Sequence, residues 1–175
     1  KSHSEGHKFG VNKILSTDKS KDLFTAGRDG FIKRWDISHS NKNSQPKCMI
    51  QYYGHTGWVT DIVSILKDRF LVTSSNDGTV KIWTTDCKNL NGNNNFPLTT
   101  YPMATAQKHE DYIKALAYAP QTENLVSGGL DQQIVLWDLN YMIALNALPE
   151  RRGDPEKQYK EIARQQSGSI YSLDI

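Results

Sequence analysis

The sequence predicts an all-β fold of the propeller class, built from repeated four-stranded antiparallel sheets. Three observations carry this. His7, His55 and His109 each precede a tryptophan by the same interval, at Trp35, Trp83 and Trp137. Within that interval, two more marks recur at constant offsets: a hydroxyl residue (Thr25, Thr73, Ser127) and then an aspartate (Asp29, Asp77, Asp131). The stretches between these marks alternate apolar and polar residues with period two, as strands do. A unit of this length kept in register three times signals a solenoid, propeller or array. Short antiparallel strands select the propeller blade among these.

Each repeat supplies its strands in order. Repeat one reads GHKFGVNKI and then LFTAGRDGFIKRWD, which gives strands at about 11–16, 22–26 and 31–35. Repeat two reads GHTGWVTDI and then FLVTSSNDGTVKIWT, with strands at about 59–65, 69–74 and 79–84. Repeat three reads KHEDYIKAL and then NLVSGGLDQQIVLWD, with strands at about 113–119, 123–128 and 133–138. Asp29-Gly30 and Asp77-Gly78 suit tight hairpin turns between the second and third strands. Asp131-Gln132 replaces that glycine, so a different turn is expected in the third hairpin. A fourth strand is expected before each next repeat, at about 47–52, 98–105 and 142–147.

This divides residues 1–175 into blade one at about 7–52, blade two at about 55–105 and blade three at about 109–147. An insertion covers 148–168, and 169–175 opens a fourth blade, because Ser-Ile-Tyr-Ser-Leu aligns with earlier first strands. Gln166 takes the place of histidine in that register. Closed propellers have about 4–8 blades, so the chain is expected to be the N-terminal part of a larger, seven-bladed propeller. The other blades would then be among its partners. Within the insertion, Asp154-Pro155 suits a helix start, and Tyr159, Ile162 and Ala163 fall at helical spacing. A short helix over about 155–165 is expected. Residues 36–46 and 84–97 form long connections on the face opposite the histidines; Asn89 to Asn95 make the second low in complexity.

Bulk properties bound the function. Hydrophobic residues are 37% of the chain, as suits short strands exposed on one face. The net charge is +2, with no basic stripe interleaved with aromatics, which argues against a nucleic-acid face. No apolar run approaches the ~20 residues that span a bilayer. Cys48 and Cys87 share no metal-ligand spacing and read as free thiols of a cytoplasmic protein, with the nucleus as a second setting. No metal or cofactor is expected.

The four marked residue types suit a buried hydrogen-bonded chain. An indole N–H can only donate, so a buried Trp needs an acceptor. A Ser or Thr oxygen can accept it and pass its own proton to an imidazole, whose other nitrogen can donate to an aspartate. Leaving such groups unpaired would cost about 1–3 kcal/mol each. Ser/Thr, His and Asp are also the parts of a hydrolase triad. An active site is one constellation, however, whereas this one occurs three times, twice with threonine and without a Gly-x-Ser-x-Gly elbow. The sets therefore read as architecture, and no catalytic residue is assigned. His3 and His39 fall outside the register.

These motifs resemble WD repeats in repeat length, Gly-His pair, Asp turn and Trp-Asp ending. The departures are Lys108 before His109 and Thr84 after Trp83. Three stretches narrow the resemblance: GVNKI…LFTAGRDGFIKRWDI, HTGWVTDIV, and HEDYIKALAYA…GLDQQIVLWDLN followed by SIYSL. They resemble the WD-repeat cofactor family that binds and activates ubiquitin-specific proteases, and its fungal relatives. The asparagine-rich insertion suits a budding-yeast member. The resemblance implies a noncatalytic scaffold whose partners are ubiquitin and a ubiquitin-specific protease; the charge and the lack of a long apolar run add the expectation of no nucleic acid and no membrane. The alternative is a WD-repeat scaffold of another assembly, in RNA processing, chromatin or trafficking.

The histidine and aspartate loops open at one end of each blade, so their neighbours ring the propeller mouth. The candidates for partner binding are Arg28, Thr56, Trp58, Asn76, Glu110, Tyr112 and Leu130. Trp58 and Tyr112 stand out, because exposed aromatics at a mouth make good hot spots.

Overall fold

The computed structural model describes residues 6–17, 22–37, 46–86, 98–147, 159–163 and 170–173. Its strands are β1 (Val11–Ser16), β2 (Asp22–Gly27), β3 (Ile32–Asp36) and β4 (Lys47–Tyr52), then β5 (Val59–Ile65), β6 (Phe70–Ser75) and β7 (Thr79–Thr84). Two short strands follow, β8 (Leu98–Thr100) and β9 (Ala104–Gln107), and then β10 (Ile113–Ala119), β11 (Asn124–Gly129) and β12 (Ile134–Trp137). A helix, α1 (Leu139–Ala147), and a last strand, β13 (Tyr159–Ala163), complete the described elements.

These strands make three sheets, ordered β1-β2-β3-β4-β8, β5-β6-β7-β9 and β10-β11-β12-β13. The fold is an all-β propeller fragment. Each repeat is a four-stranded antiparallel blade, with a fifth strand added to the first.

Period-two alternation explains why the middle blade reads as apolar at both parities. On β6, Leu71 packs into a core with blade one while Val72 packs into a core with blade three. On β7, Val80 and Ile82 face blade three, and Trp83 faces blade one. A sheet covered on both faces must be apolar on both. Blade one has no sheet packed on its other face among the described residues, so Val11 and Ile14 of β1 are exposed. The tryptophans follow the same logic. Trp83 and Trp137 each pack toward the preceding blade and are buried, whereas Trp35 is half-buried.

Hydrogen bonds cross between blades at a fixed register position in the loop and strand that follow each histidine. Asn12 Nδ2 donates to the Val59 carbonyl at 2.8 Å, and Thr60 Oγ1 donates to the Ile113 carbonyl at 2.7 Å. Asp61, buried between these strands, accepts the Leu116 N–H at 2.9 Å and pairs with Lys13 at 3.3 Å. The inner strands are thus stitched as well as packed.

Four expectations need correction. The strand expected over 98–105 is two strands. Leu98–Thr100 pairs in parallel with β4 of blade one, and Ala104–Gln107 pairs with β7. Pro102 lies between them and cannot donate to a ladder, which suits a break there. The strand expected at 142–147 lies within helix α1. Asp138 Oδ1 accepts the Tyr141 N–H at 2.8 Å as an N-cap, and Leu139 and Met142 bury one side of the helix against Trp137. Of the helix expected over 155–165, the described residues Tyr159–Ala163 are instead strand β13, antiparallel to β12, and the rest lies outside the described residues. With 142–147 helical, the outer edge of β12 needed another strand to satisfy its backbone groups.

The fourth correction concerns the turn at Asp131-Gln132. Gln132 adopts a left-handed φ of 63°, beside 80° at Gly30 and 76° at Gly78. Its N–H closes on the Gly129 carbonyl at 3.3 Å, as Gly30 closes on Gly27 at 3.3 Å and Gly78 on Ser75 at 3.2 Å. The third hairpin therefore keeps the same turn without glycine.

Residues 170–173 form no strand; the Ile170 N–H donates to the Gly129 carbonyl at 3.2 Å and its side chain is buried. His3, His39, Cys87, Asn89 to Asn95, Asp154-Pro155 and Gln166 lie outside the described residues. Cys48 is a buried thiol whose Sγ donates to the Ile50 carbonyl at 3.7 Å.

Candidate functional site

The three marked sets close into the same chain of bonds. In blade two, Trp83 Nε1 donates to Thr73 Oγ1 at 2.8 Å, Thr73 lies 2.8 Å from His55 Nε2, and His55 Nδ1 lies 2.8 Å from Asp77 Oδ2. Blade one repeats this with Trp35 to Thr25 at 2.8 Å, Thr25 to His7 at 2.7 Å and His7 to Asp29 at 2.8 Å. Blade three repeats it with Trp137 to Ser127 at 2.8 Å, Ser127 to His109 at 2.7 Å and His109 to Asp131 at 2.8 Å. An ionised carboxylate can only accept, so Nδ1–H donates to it, and in a neutral imidazole this leaves Nε2 to accept the hydroxyl proton.

Sequence reasoning missed how many donors each aspartate collects. Asp77 also accepts the Thr56 N–H at 3.0 Å, the Thr79 N–H at 3.0 Å and the Thr79 hydroxyl at 2.6 Å. Asp29 accepts the N–H groups of Lys8 and Phe31, and Asp131 those of Glu110 and Gln133. Each carboxylate therefore ties the histidine loop to its own hairpin turn. The position at the end of the second strand, just ahead of that turn, must be small. A Cβ on Gly27 would collide with His7 Nδ1, and one on Gly129 would lie 3.0 Å from His109 Nδ1.

Electrostatics agree with a closed network of charged carboxylate and neutral imidazole. Burial raises the Asp77 carboxyl, but hydrogen bonds from His55, Thr79 and the Thr56 N–H outweigh it, and the group is held well below the ordinary carboxylate range. Asp29 shifts down in the same way, burial being outweighed by bonds from His7, Lys8 and Phe31. Burial lowers the His55 imidazole below its ordinary value against the pull of Asp77. Burial also lowers Lys81, whose Nζ donates to Thr105 Oγ1 at 3.0 Å. The hydroxyl of every set is engaged on both sides, so none is presented as a nucleophile. Among the described residues, no group of three His, Cys, Asp or Glu side chains is placed to hold a metal ion, and no helix is long and apolar enough to cross a membrane.

The neighbours of these sets are open. Trp58 is 47% exposed and Tyr112 is 46% exposed, each at the same register position after its histidine. Arg28, Thr56 and Glu110 are also exposed; Asn76 and Leu130 are half-buried. Among these candidates one pair, Arg28 and Trp58, meets across a blade junction, and two pairs meet within a blade. At the first junction, the Arg28 guanidinium sits 4.8 Å from the Trp58 ring centroid. Within blade two, the Asn76 N–H donates to the Trp58 carbonyl at 2.9 Å, and across the second junction Lys114 Nζ donates to Asn76 Oδ1 at 3.2 Å. Lys114 Nζ also lies 5.3 Å from the Tyr112 ring centroid, and the Leu130 N–H donates to the Tyr112 carbonyl at 2.9 Å. Sequence reasoning did not single out Lys114. It occupies the same register position as Asn12 and Thr60, which was the available signal.

Residues 1–36, 46–84 and 100–138 match the family model described as WD domain, G-beta repeat. Among solved structures, the chain is similar to one described as Structure of U3-55K, with a TM-score of 0.70 and 18% identity. The match covers 97% of this chain and 43% of that one, so the chain spans less than half the length of that protein. At this identity the likeness speaks for the fold alone.

Proposed function

Because the chain belongs to the WD-repeat family, whose repeats support protein-interaction scaffolds, we propose that it is a noncatalytic scaffold of the ubiquitin system. In this reading it binds ubiquitin, or docks and activates a ubiquitin-specific protease, through the mouth that carries the histidine loops. The observation that carries the choice of surface is the pair Trp58 and Tyr112. They stand at equivalent positions of adjacent blades, half exposed, beside hydrogen-bond networks that are closed and have nothing left to offer a ligand. The choice of partner rests on the resemblance of HEDYIKALAYA and GLDQQIVLWD to the deubiquitinase-cofactor family. A cytoplasmic setting belongs to the same proposal.

The test is binding of ubiquitin and of a ubiquitin-specific protease to Trp58→Ala and Tyr112→Ala, with thermal melting as the control for folding. Each substitution is expected to weaken binding by tenfold or more, as truncation of a hot-spot aromatic costs about 2 kcal/mol or more, with little change in melting temperature. Wild-type binding by both variants would remove the mouth as the partner surface.

A further inference from the structure

The junction between blades one and two holds a cation in a fixed pose, with no acid paired to it among the described residues. Arg28 forms no ion pair among the described residues, although it is exposed. It is nevertheless held on several sides. Its Nε donates to Asn12 Oδ1 at 2.9 Å, and Asn12 is itself pinned because its Nδ2 donates to the Val59 carbonyl at 2.8 Å. Its guanidinium lies 4.8 Å from the Trp58 ring centroid. Its backbone N–H donates to the Gly10 carbonyl at 2.8 Å, and a Cβ on Gly10 would lie 3.5 Å from its Cδ and Nε. A long side chain has thus lost much of its freedom before any partner arrives, which lowers the entropy cost of binding.

We infer that Arg28 over Trp58 is a recognition site for an acidic side chain of a partner protein segment. The carboxylate pairs with the guanidinium, whose planar fork suits two parallel hydrogen bonds. An apolar side chain next to that acid rests on the open part of the Trp58 ring. The inference rests on the reading of the mouth as the partner surface and adds the chemistry of what is read there.

Charge decides between an acidic protein segment and a nucleic acid. A nucleic acid is held by many phosphate contacts along a basic track. Here the chain carries a net charge of only +2. Around the mouth, Glu110 and Asp111 interrupt the cations one blade further on, and both are exposed. Lys114, on that same blade, donates from Nζ to Asn76 Oδ1. Lys8 is also exposed, one residue after His7, but only Arg28 is held in a fixed pose, and one pre-oriented arginine fits a single carboxylate better than a polyanion.

The experiment follows the Trp58 indole N–H signal by NMR, assigned with Trp58→Phe, during titration of the 175-residue chain. The probes are hexaglutamate, hexalysine and a short deoxythymidine strand. Hexaglutamate is expected to shift the signal in a salt-sensitive way, and Arg28→Gln to weaken its binding about tenfold, the loss of a charge-assisted hydrogen bond. Asn12→Ala, which releases the guanidinium, should weaken binding by a smaller factor. Absence of a shift with hexaglutamate, or tighter binding by the deoxythymidine strand, would overturn the assignment. The two readings fail differently with ubiquitin and the protease. Loss of binding in Trp58→Ala with wild-type binding in Arg28→Gln keeps the mouth and removes the acid site. Wild-type binding in both removes both.

Discussion

Asp77 joins two loops through one side chain: it takes the His55 Nδ1–H at 2.8 Å and the Thr79 hydroxyl at 2.6 Å. The aspartate closes the hairpin turn beneath it and fixes the loop that carries Thr56 and Trp58 above it. The mouth is therefore shaped by residues that do not themselves meet a partner.

Thr73 tests that division. Its hydroxyl stands between the Trp83 indole and the His55 imidazole, and it is fully buried. Thr73→Val keeps the shape and strands both neighbours, at a cost of about 1–3 kcal/mol for an unpaired buried polar group. Urea unfolding should show that loss. Binding at the mouth should survive where the variant is folded. A Thr73→Val protein of unchanged stability would mean that the chain of bonds does not support the blade.

Acid should destabilise the fold in two steps. His55 has a folded pKa below its ordinary value of 6.5, because burial disfavours its charged form. Between those two values the unfolded chain binds more protons, so stability rises with pH across that window and falls as pH drops below about 6.5. Asp77 has a folded pKa below its ordinary 3.8, so the stability it contributes is present above 3.8 and is lost as pH falls toward the folded value. Urea midpoints from pH 8 to pH 5 should decline in the wild type. His55→Gln should flatten that decline while starting from lower stability; an equally steep decline would assign the acid sensitivity elsewhere.

Much of this was legible because it repeats. The constant offsets from each histidine located the hydroxyl, aspartate and tryptophan of all three networks, though not the further donors that each aspartate collects. Alternation located the first three strands of each blade. Apart from the turn at Asp131-Gln132, where the repeat held in spite of the lost glycine, the misreadings fall where the repeat stops constraining the chain. The apolar run at 142–147 carries no period that separates a strand from a short helix; the decision lay with the cap at Asp138 and the burial of Leu139 and Met142. At 98–105 one strand's worth of sequence serves two sheets, which local pattern does not encode. At the mouth, the sequence identified Trp58 and Arg28 separately. They belong to different repeats, and their stacking depends on how two blades meet at the junction.

The cap at Asp138 gives a local prediction. Its carboxylate satisfies the Tyr141 N–H in the first turn of α1. Asp138→Ala should cost about 1 kcal/mol, and Asp138→Ser should recover most of it, as both aspartate and serine cap well. Thermal melting of the pair would show this. Equal melting of the alanine and serine variants would mean that packing of Leu139 and Met142, and not the cap, holds the helix start.

Gln132 offers a gain rather than a loss. It sits at φ 63° in a turn whose counterparts are Gly30 and Gly78. A side chain in that region carries strain of roughly 1 kcal/mol that glycine avoids. Its backbone N–H already makes the turn-closing bond to Gly129, so removing the side chain leaves the hydrogen bonding of the turn intact. Glycine also makes the unfolded chain more flexible, which offsets part of the gain. Gln132→Gly should still raise stability by about 0.5 kcal/mol, while Gln132→Val should lower it by more, because a β-branched residue tolerates positive φ least. The readout is the urea midpoint at constant slope. A glycine variant less stable than the wild type would show that the Gln132 side chain contributes more than the strain removes.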